Sequence, residues 1–125
     1  MKRFFILLSI FICIGCTKRI VSVHKDVAKE VSYSSIYHII NNYNLYKDVD
    51  LIDVRDTDSF NNSHLIGSRN VLYNELEDIE YDSNVRVIVY SYNRNKSIAV
   101  CRKLRRMGID ADYIPGINNY PYDLV

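Results

Sequence analysis

Short apolar runs alternate with amphipathic stretches along most of the chain. The run from Val85 to Tyr90, VRVIVY, is β-branched and almost wholly apolar, which is typical of a central strand covered on both faces. Asp50 to Val54 and Asp110 to Ile114 predict two further strands, and Asn70 to Tyr73 predicts a shorter one. Strands separated by helical stretches indicate an α/β fold, with a mainly parallel central sheet and helices on both faces.

The helices between these strands are predicted from apolar spacing and from end signals. Ser34 or Ser35 can cap the first helix. Its apolar residues recur at i, i+3, i+4 and i+7, and they are Ile36, Ile39, Ile40 and Tyr43. A second helix is predicted from Ser97 to Met107, with Gly108 directly after its end. The residues predicted on its apolar side are Val100, Cys101, Leu104 and Met107. Two weaker helical patterns remain, at 56–62 and 75–79.

The first fifteen residues resemble an export signal. Two basic residues precede an apolar run from Phe4 to Gly15, which is too short to span a bilayer and suits a secretion signal. The run ends at Cys16, and the segment is similar to the signal of bacterial lipoproteins. That resemblance implies cleavage before Cys16, acylation of this cysteine with a fatty acid such as palmitate, and a membrane-anchored protein on the periplasmic or surface side.

Length and composition allow one folded domain behind this signal. The chain has 125 residues, of which 48% are hydrophobic and 25% charged, which is typical of a packed globular domain. The pattern predicts a signal over 1–15, a tether over 16–30 and the domain over 31–125. Removing Lys2 and Arg3 with the signal changes 16 basic and 15 acidic residues to 14 and 15, a net charge near −1. No electrostatic argument for nucleic-acid binding remains.

Two segments, in this order, are similar to the rhodanese (sulfurtransferase) family. The first, LIDVRDTDSFNNSHLIGSRNV, resembles a strand ending in D-x-R, then a helix, then H-I-x-G-A, and it places Asp53, Arg55 and His64 at matching positions. The second, VIVYSYNRNKSIAV, resembles a strand, a C-x-x-G-x-R-S loop and a helix. The tail DYIPGINNY resembles the family's last strand and glycine turn. The resemblance implies a single rhodanese-like domain over most of the chain.

The resemblance places Ser91 where the family has its nucleophilic cysteine. In that family the thiolate accepts sulfur from a donor such as thiosulfate and passes it on from a persulfide. A serine hydroxyl is essentially un-ionised at neutral pH, and its oxygen cannot carry transferable sulfur. Arg94 also replaces the loop glycine and Lys96 the loop arginine, whereas Ser97 is retained. Persulfide transfer by this loop is therefore not expected.

The predicted function is binding of a small anion or of a protein partner, without catalysis. A loop at a helix N-terminus can hold an anion through backbone N–H groups. Asp53, Arg55 and His64 are expected to support this loop, and Asp53 with Arg55 is expected to form a buried pair that fixes the strand end. The predicted anion-binding residues are Ser91, Tyr92, Asn93, Arg94, Asn95, Lys96 and Ser97. The alternative function is a sulfurtransferase with an atypical active site.

Other chemistries have weaker support. Cys101 could be a relocated nucleophile, but its place on the apolar helix face predicts a buried, unreactive thiol. A serine hydrolase needs a base beside Ser91, and no histidine is near it in sequence. A phosphatase with a C-x5-R loop would need a cysteine at Ser91 and an arginine at Ser97.

The sequence contains little that would hold a metal, a cofactor or a lipid headgroup. The three histidines are scattered and no cluster has metal-ligand spacing, so neither a metal nor a cofactor is expected. The second helix carries a basic face that could meet anionic lipid headgroups, although a solvated face is the favoured interpretation. Its residues are Arg102, Lys103, Arg105 and Arg106.

Overall fold

The structure, a computed structural model, describes residues 27–125. The predicted signal, Cys16 and most of the predicted tether lie outside these residues. The helices are α1 (Tyr33–Ile40), α2 (Tyr43–Tyr46), α3 (Thr57–Asn62) and α4 (Arg94–Arg106). The strands are β1 (Val49–Asp53), β2 (Arg69–Asn70), β3 (Arg86–Tyr90) and β4 (Ala111–Tyr113). Single 3₁₀ turns lie at Tyr73–Glu75 and Ile117–Asn119. Among residues 27–125, no helix has both the length and the apolar character that crossing a bilayer requires.

The strands form one four-stranded parallel sheet in the order β2-β1-β3-β4. β1 and β3 lie side by side at its centre, and Asp53 is the register partner of Tyr90. The backbone N–H of Val54 continues this pairing by donating to the carbonyl of Tyr90. The carboxyl ends of the two central strands therefore meet at one edge of the sheet, and the loops that follow them begin side by side.

Helices cover both faces of the sheet, as predicted. On one face, Val100, Cys101 and Leu104 of α4 pack against a cluster that includes Val87 and Val89 of β3. On the other face, Ile36 of α1 packs against a cluster that includes Ile88 and Tyr90. Successive residues of a strand point to opposite faces, so the wholly apolar β3 serves both clusters.

Two predictions about the first helix are wrong. Its N-cap is Ser32, whose hydroxyl accepts from the backbone N–H of Ser35, and neither Ser34 nor Ser35 caps it. Tyr43 lies outside α1, because the helix ends at Ile40 and Asn42 caps the separate helix α2. Apolar spacing alone does not detect this break, which lies where the side chains of Asn41 and Asn42 hydrogen-bond to nearby backbone groups.

The last helix begins earlier than predicted, and its C-terminal end is less buried than predicted. Asn93 is the N-cap of α4 and accepts from the backbone N–H of Lys96 at 2.9 Å, so the helix starts at Arg94 rather than at Ser97. Met107, predicted to be the last residue of the helix and on its apolar side, is the C-cap and is exposed. Gly108 follows with a φ of 87°, which confirms its predicted place after the helix end.

Candidate functional site

Ser91 lies directly after the central strand β3, at the start of the loop that leads into α4. Its relative exposure is 0%, and among residues 27–125 its Oγ is the single buried side-chain polar atom without a hydrogen-bond partner. Its carbonyl accepts from the backbone N–H of Ile117 at 3.0 Å. An unsatisfied buried hydroxyl costs free energy, and a small polar ligand or a water could supply the missing partner.

The positive end of α4 directly follows Ser91. α4 has 13 residues, and within the described part of the chain the backbone N–H groups of Arg94 and Asn95 donate no hydrogen bond. Ser97, the other buried serine of the predicted anion loop, donates from its Oγ to the carbonyl of Asn93 at 3.3 Å. Free N–H groups and the helix dipole together favour an anion at this point.

The two cations predicted for the loop differ in their contacts. Arg94 Nε lies 2.7 Å from the carboxylate of Glu30, so its side chain is engaged in an ion pair. Lys96 is exposed and forms no ion pair with any residue in 27–125. Lys96 is therefore the loop cation that remains available to a ligand.

Tyr92 links the loop to the start of α3. Its hydroxyl donates to Asp56 Oδ1 at 3.0 Å and contacts the Ser59 hydroxyl. Asp56 is the N-cap of α3 and accepts from both the Oγ and the backbone N–H of Ser59. The hydrogen bonds from Ser59, followed by that from Tyr92, lower the pKa of Asp56 to about 2. Asp56 is thus ionised at neutral pH, and its charge opposes the approach of an anion to the Tyr92 side of the loop.

Sequence reasoning missed this contact, although part of it was visible. Asp56, a favoured N-cap residue type directly before a helical pattern, is a helix-start signal. Nothing in the sequence connects Asp56 with Tyr92, because 36 positions separate the two residues.

Asp53 and Arg55 form the buried pair that the sequence predicts at the end of β1. Arg55 Nη2 lies 2.7 Å from Asp53 Oδ2 and also donates to the carbonyl of Ser63 at 2.6 Å. Burial lowers the pKa of Arg55, but the hydrogen bond and attraction to Asp53 outweigh it and raise that pKa overall. The guanidinium carbon lies 5.6 Å from the centre of the Tyr92 ring, so the pair contacts the loop through this tyrosine and stabilises it.

His64 lies away from the Ser91 hydroxyl and has a packing role. Its ring stacks on Phe60 with centroids 4.0 Å apart, and its Nδ1 lies 2.8 Å from the carbonyl of Phe60. Its backbone pairs with that of Val125 through two hydrogen bonds. Among residues 27–125, neither His64 nor any other group hydrogen-bonds to the Ser91 hydroxyl in this structure.

The turn at Gly116 packs against the loop on the side opposite the Asp53–Arg55 pair. A Cβ at Gly116 would lie 2.2 Å from the carbonyl oxygen of Tyr92, so only glycine allows this approach. The hydroxyl of Tyr33 donates to the carbonyl of Gly116. The loop is therefore held between this turn and the Asp53–Arg55 pair.

Cys101 is buried within the apolar cluster of α4, as predicted. Its relative exposure is 0%, and burial, followed by the nearby Asp112 charge, raises the pKa of its thiol to about 12. A thiol of this kind is inert at neutral pH.

The basic face of α4 is partly neutralised by contacts within the protein. Lys103 lies 3.4 Å from a carboxylate oxygen of Glu77, and Arg105 lies 2.9 Å from Asp112. Arg102 and Arg106 are exposed. No group of three or more His, Cys, Asp or Glu side chains in the described part of the chain is arranged to hold a metal ion.

Comparisons with known proteins point to one fold and one family. A family model of the rhodanese-like domain matches residues 41–120. A search of curated proteins gives no match. Among solved structures, a rhodanese-related protein from Thermoplasma volcanium is 19% identical with a TM-score of 0.66, and the match covers 78% of this chain and 97% of that one.

Two staphylococcal structures are similar to the same extent. A rhodanese-like domain protein from Staphylococcus aureus is 17% identical with a TM-score of 0.67, covering 78% of this chain and 96% of that one. A protein from Staphylococcus saprophyticus is 17% identical with a TM-score of 0.68, covering 78% and 98%. At these identities the structural likeness establishes the shared fold.

Proposed function

This chain belongs to the rhodanese-like domain family, and from that premise we propose that it is a non-catalytic member whose loop at the start of α4 binds a small anion. The anion is either free or carried by a side chain of a protein partner. The proposal depends mainly on one observation. Ser91, fully buried at the end of β3, lies where the family resemblance expects the sulfur nucleophile, and its hydroxyl has no hydrogen-bond partner among residues 27–125.

The chemistry of sulfur transfer argues against catalysis by Ser91. In the family reaction the thiolate attacks the outer sulfur of thiosulfate, an S–S bond forms and sulfite leaves. An oxygen nucleophile would need a base to remove its proton, and no group among residues 27–125 hydrogen-bonds to the Ser91 hydroxyl. Even when ionised, the oxygen would not form the persulfide from which sulfur is passed on.

Anion binding is supported by three features of the same loop. The backbone N–H groups of Arg94 and Asn95 are free at the positive end of α4, Lys96 has no ion pair within residues 27–125, and the Ser91 hydroxyl needs a partner. A small anion such as sulfate, or a single carboxylate, matches these few donors, and the ionised Asp56 beside Tyr92 disfavours an anion that extends toward Tyr92.

The alternative function, a sulfurtransferase with an atypical site, would need another reactive thiol. Cys101 is the free cysteine of the described chain, and its buried thiol, with a pKa raised to about 12, argues against this role.

An assay of sulfur transfer separates these two functions. We expect the full chain, incubated with thiosulfate and cyanide, to produce no thiocyanate above the blank, because Ser91 cannot form a persulfide. Turnover found only in Ser91→Cys would show that the loop still binds the donor and lacks only the sulfur. Ser83→Cys, which adds an exposed thiol before β3, is the matched control. Thiocyanate production by the unmodified chain would refute the non-catalytic function.

We further propose that the protein is an exported lipoprotein anchored through Cys16, since the apolar run before this cysteine resembles a lipoprotein signal. Intact-mass measurement of the membrane-extracted protein is expected to give a chain that begins at Cys16 and carries acyl mass. A Cys16→Ser variant should keep its first fifteen residues and lack that mass. A mature N-terminus elsewhere without acyl mass would disprove the anchor.

A further inference from the structure

A second cleft lies on the α1 side of the domain, away from the Ser91 loop. It has a volume of about 360 Å³ and lies between α1, the loop at Ile66 and the C-terminal segment that follows the last 3₁₀ turn. Three tyrosines line it, Tyr37, Tyr120 and Tyr122, together with the polar side chains of Asn41 and Asp123. The volume falls within the range of small-molecule sites.

The tyrosine rings form two walls that meet at a steep angle. Tyr37 and Tyr122 stack with centroids 4.1 Å apart and planes 20° apart. Tyr120 stands against Tyr122 with centroids 5.4 Å apart and planes at 71°. Tyr37 and Tyr122 are 44% and 36% exposed, so a ligand in the cleft can reach them.

The charge of the cleft is negative. Asp123 is exposed and forms no ion pair with any residue in 27–125, and no lysine or arginine lines the cleft. The faces of aromatic rings also carry negative electrostatic potential. A ligand that complements both features is a cation with an apolar surface.

We propose that this cleft binds an organic cation that carries a quaternary ammonium group of the size of choline. Methyl groups on such a cation pack against the tyrosine faces that the Tyr37–Tyr122 stack leaves exposed, and its charge is balanced by the Asp123 carboxylate. A primary ammonium is more strongly hydrated than a quaternary one, so it loses more solvation free energy when it binds against the tyrosine rings. The group can come from a free small cation or from a phosphatidylcholine headgroup. The inference is independent of the anion site, because the two share no residue.

A matched pair of ligands tests the charge requirement. Choline and its neutral carbon isostere, 3,3-dimethyl-1-butanol, are titrated into the full chain in a polyoxyethylene detergent, and amide and tyrosine-ring NMR shifts are followed. We expect choline to bind about tenfold more tightly than the isostere, equivalent to about 1.4 kcal/mol. Equal affinity of the two ligands, or the absence of shifts with choline at the cleft residues, would overturn the proposal.

Variants test the proposed contacts. Asp123→Asn is expected to weaken choline about fivefold and to leave the isostere unchanged. Tyr122→Phe keeps the ring face and should keep choline affinity, whereas Tyr122→Leu should reduce it at least fivefold. Tyr43→Leu, at an exposed tyrosine of α2 outside the cleft, is the control. A loss of choline affinity in Tyr122→Phe equal to that in Tyr122→Leu would contradict recognition by the ring face.

Phospholipid added to the same detergent micelles distinguishes the two sources of the cation. If phosphatidylcholine competes with choline for the same shifts, and phosphatidylglycerol does not, the source is a lipid headgroup. If neither lipid competes while choline binds, the cleft takes a free cation. Equal competition by both lipids would mean that the cleft recognises the lipid surface without regard to the cation, and would overturn the proposal.

Discussion

Replacement of Asp53 by alanine is expected to lower the free energy of unfolding by about 3 to 5 kcal/mol. Asp53 is fully buried and accepts from the backbone N–H and the guanidinium of Arg55. Removing the carboxylate leaves a buried guanidinium whose remaining hydrogen bond goes to the Ser63 carbonyl. A buried charge that has lost its counter-ion is far more costly than the net stabilisation of the intact pair. Urea unfolding of the full chain measures the change.

Asp50→Ala is the matched control for this prediction. Asp50 forms a similar pair with Arg69 at 2.7 Å, but the arginine side chain is 41% exposed. Water can solvate the remaining guanidinium, so we expect a loss of about 1 kcal/mol or less. The double variant Asp53→Leu with Arg55→Met should be more stable than Asp53→Ala, because neither charge remains buried. Equal losses in Asp53→Ala and Asp50→Ala would contradict the importance of burial.

Replacement of Gly116 by alanine is expected to destabilise the domain by about 2 to 3 kcal/mol and to disturb the Ser91 loop. The φ of Gly116 is −48°, which alanine adopts freely, so the effect is purely steric. The added Cβ would lie 2.2 Å from the Tyr92 carbonyl oxygen. Backbone atoms on both sides must then move apart, and the hydrogen bond from Ile117 to Ser91 lengthens with them. Urea unfolding and the amide shifts of residues 91–97 report the two effects.

Gly108→Ala separates loop damage from a general loss of stability. Gly108 has a φ of 87° and no neighbour within 4 Å of an added Cβ, so alanine there meets backbone strain of about 1 kcal/mol without a clash. The amide shifts of 91–97 should stay as in the native chain. Unchanged loop shifts in Gly116→Ala would show that the turn does not hold the loop.

Much of the fold was predictable because its signals are local. The wholly apolar run at β3 and the amphipathic pattern of α4 indicate a parallel sheet with helices on both faces, and the structure confirms this arrangement. The Asp53–Arg55 pair was predictable for the same reason, because opposite charges two positions apart at a buried strand end are close enough to form an ion pair. The first helix shows the limit of such local signals. Ser32, Ser34 and Ser35 are all suitable N-cap residues, and only the folded backbone shows that Ser32 is the cap.

The candidate site was predicted in position but not in its electrostatics. The sequence places a serine at the end of the central strand and a helix start after it, and these positions alone locate the loop. Arg94 and Glu30 are 64 positions apart, so their ion pair, which removes one of the two predicted loop cations, could not be predicted. The same holds for the Tyr92–Asp56 contact, which brings a negative charge to the loop.

The sequence by itself therefore determined the family, the order of elements and the residue that stands at Ser91. Only the tertiary structure decided that, within residues 27–125, the Ser91 hydroxyl is buried without a partner, that Lys96 is the unpaired loop cation, and that Tyr37 shares a cleft with Tyr120 and Tyr122. The physical reason is the range of the interactions. Periodicity and capping act between neighbours in the chain, whereas burial and charge pairing depend on which distant segments folding brings together.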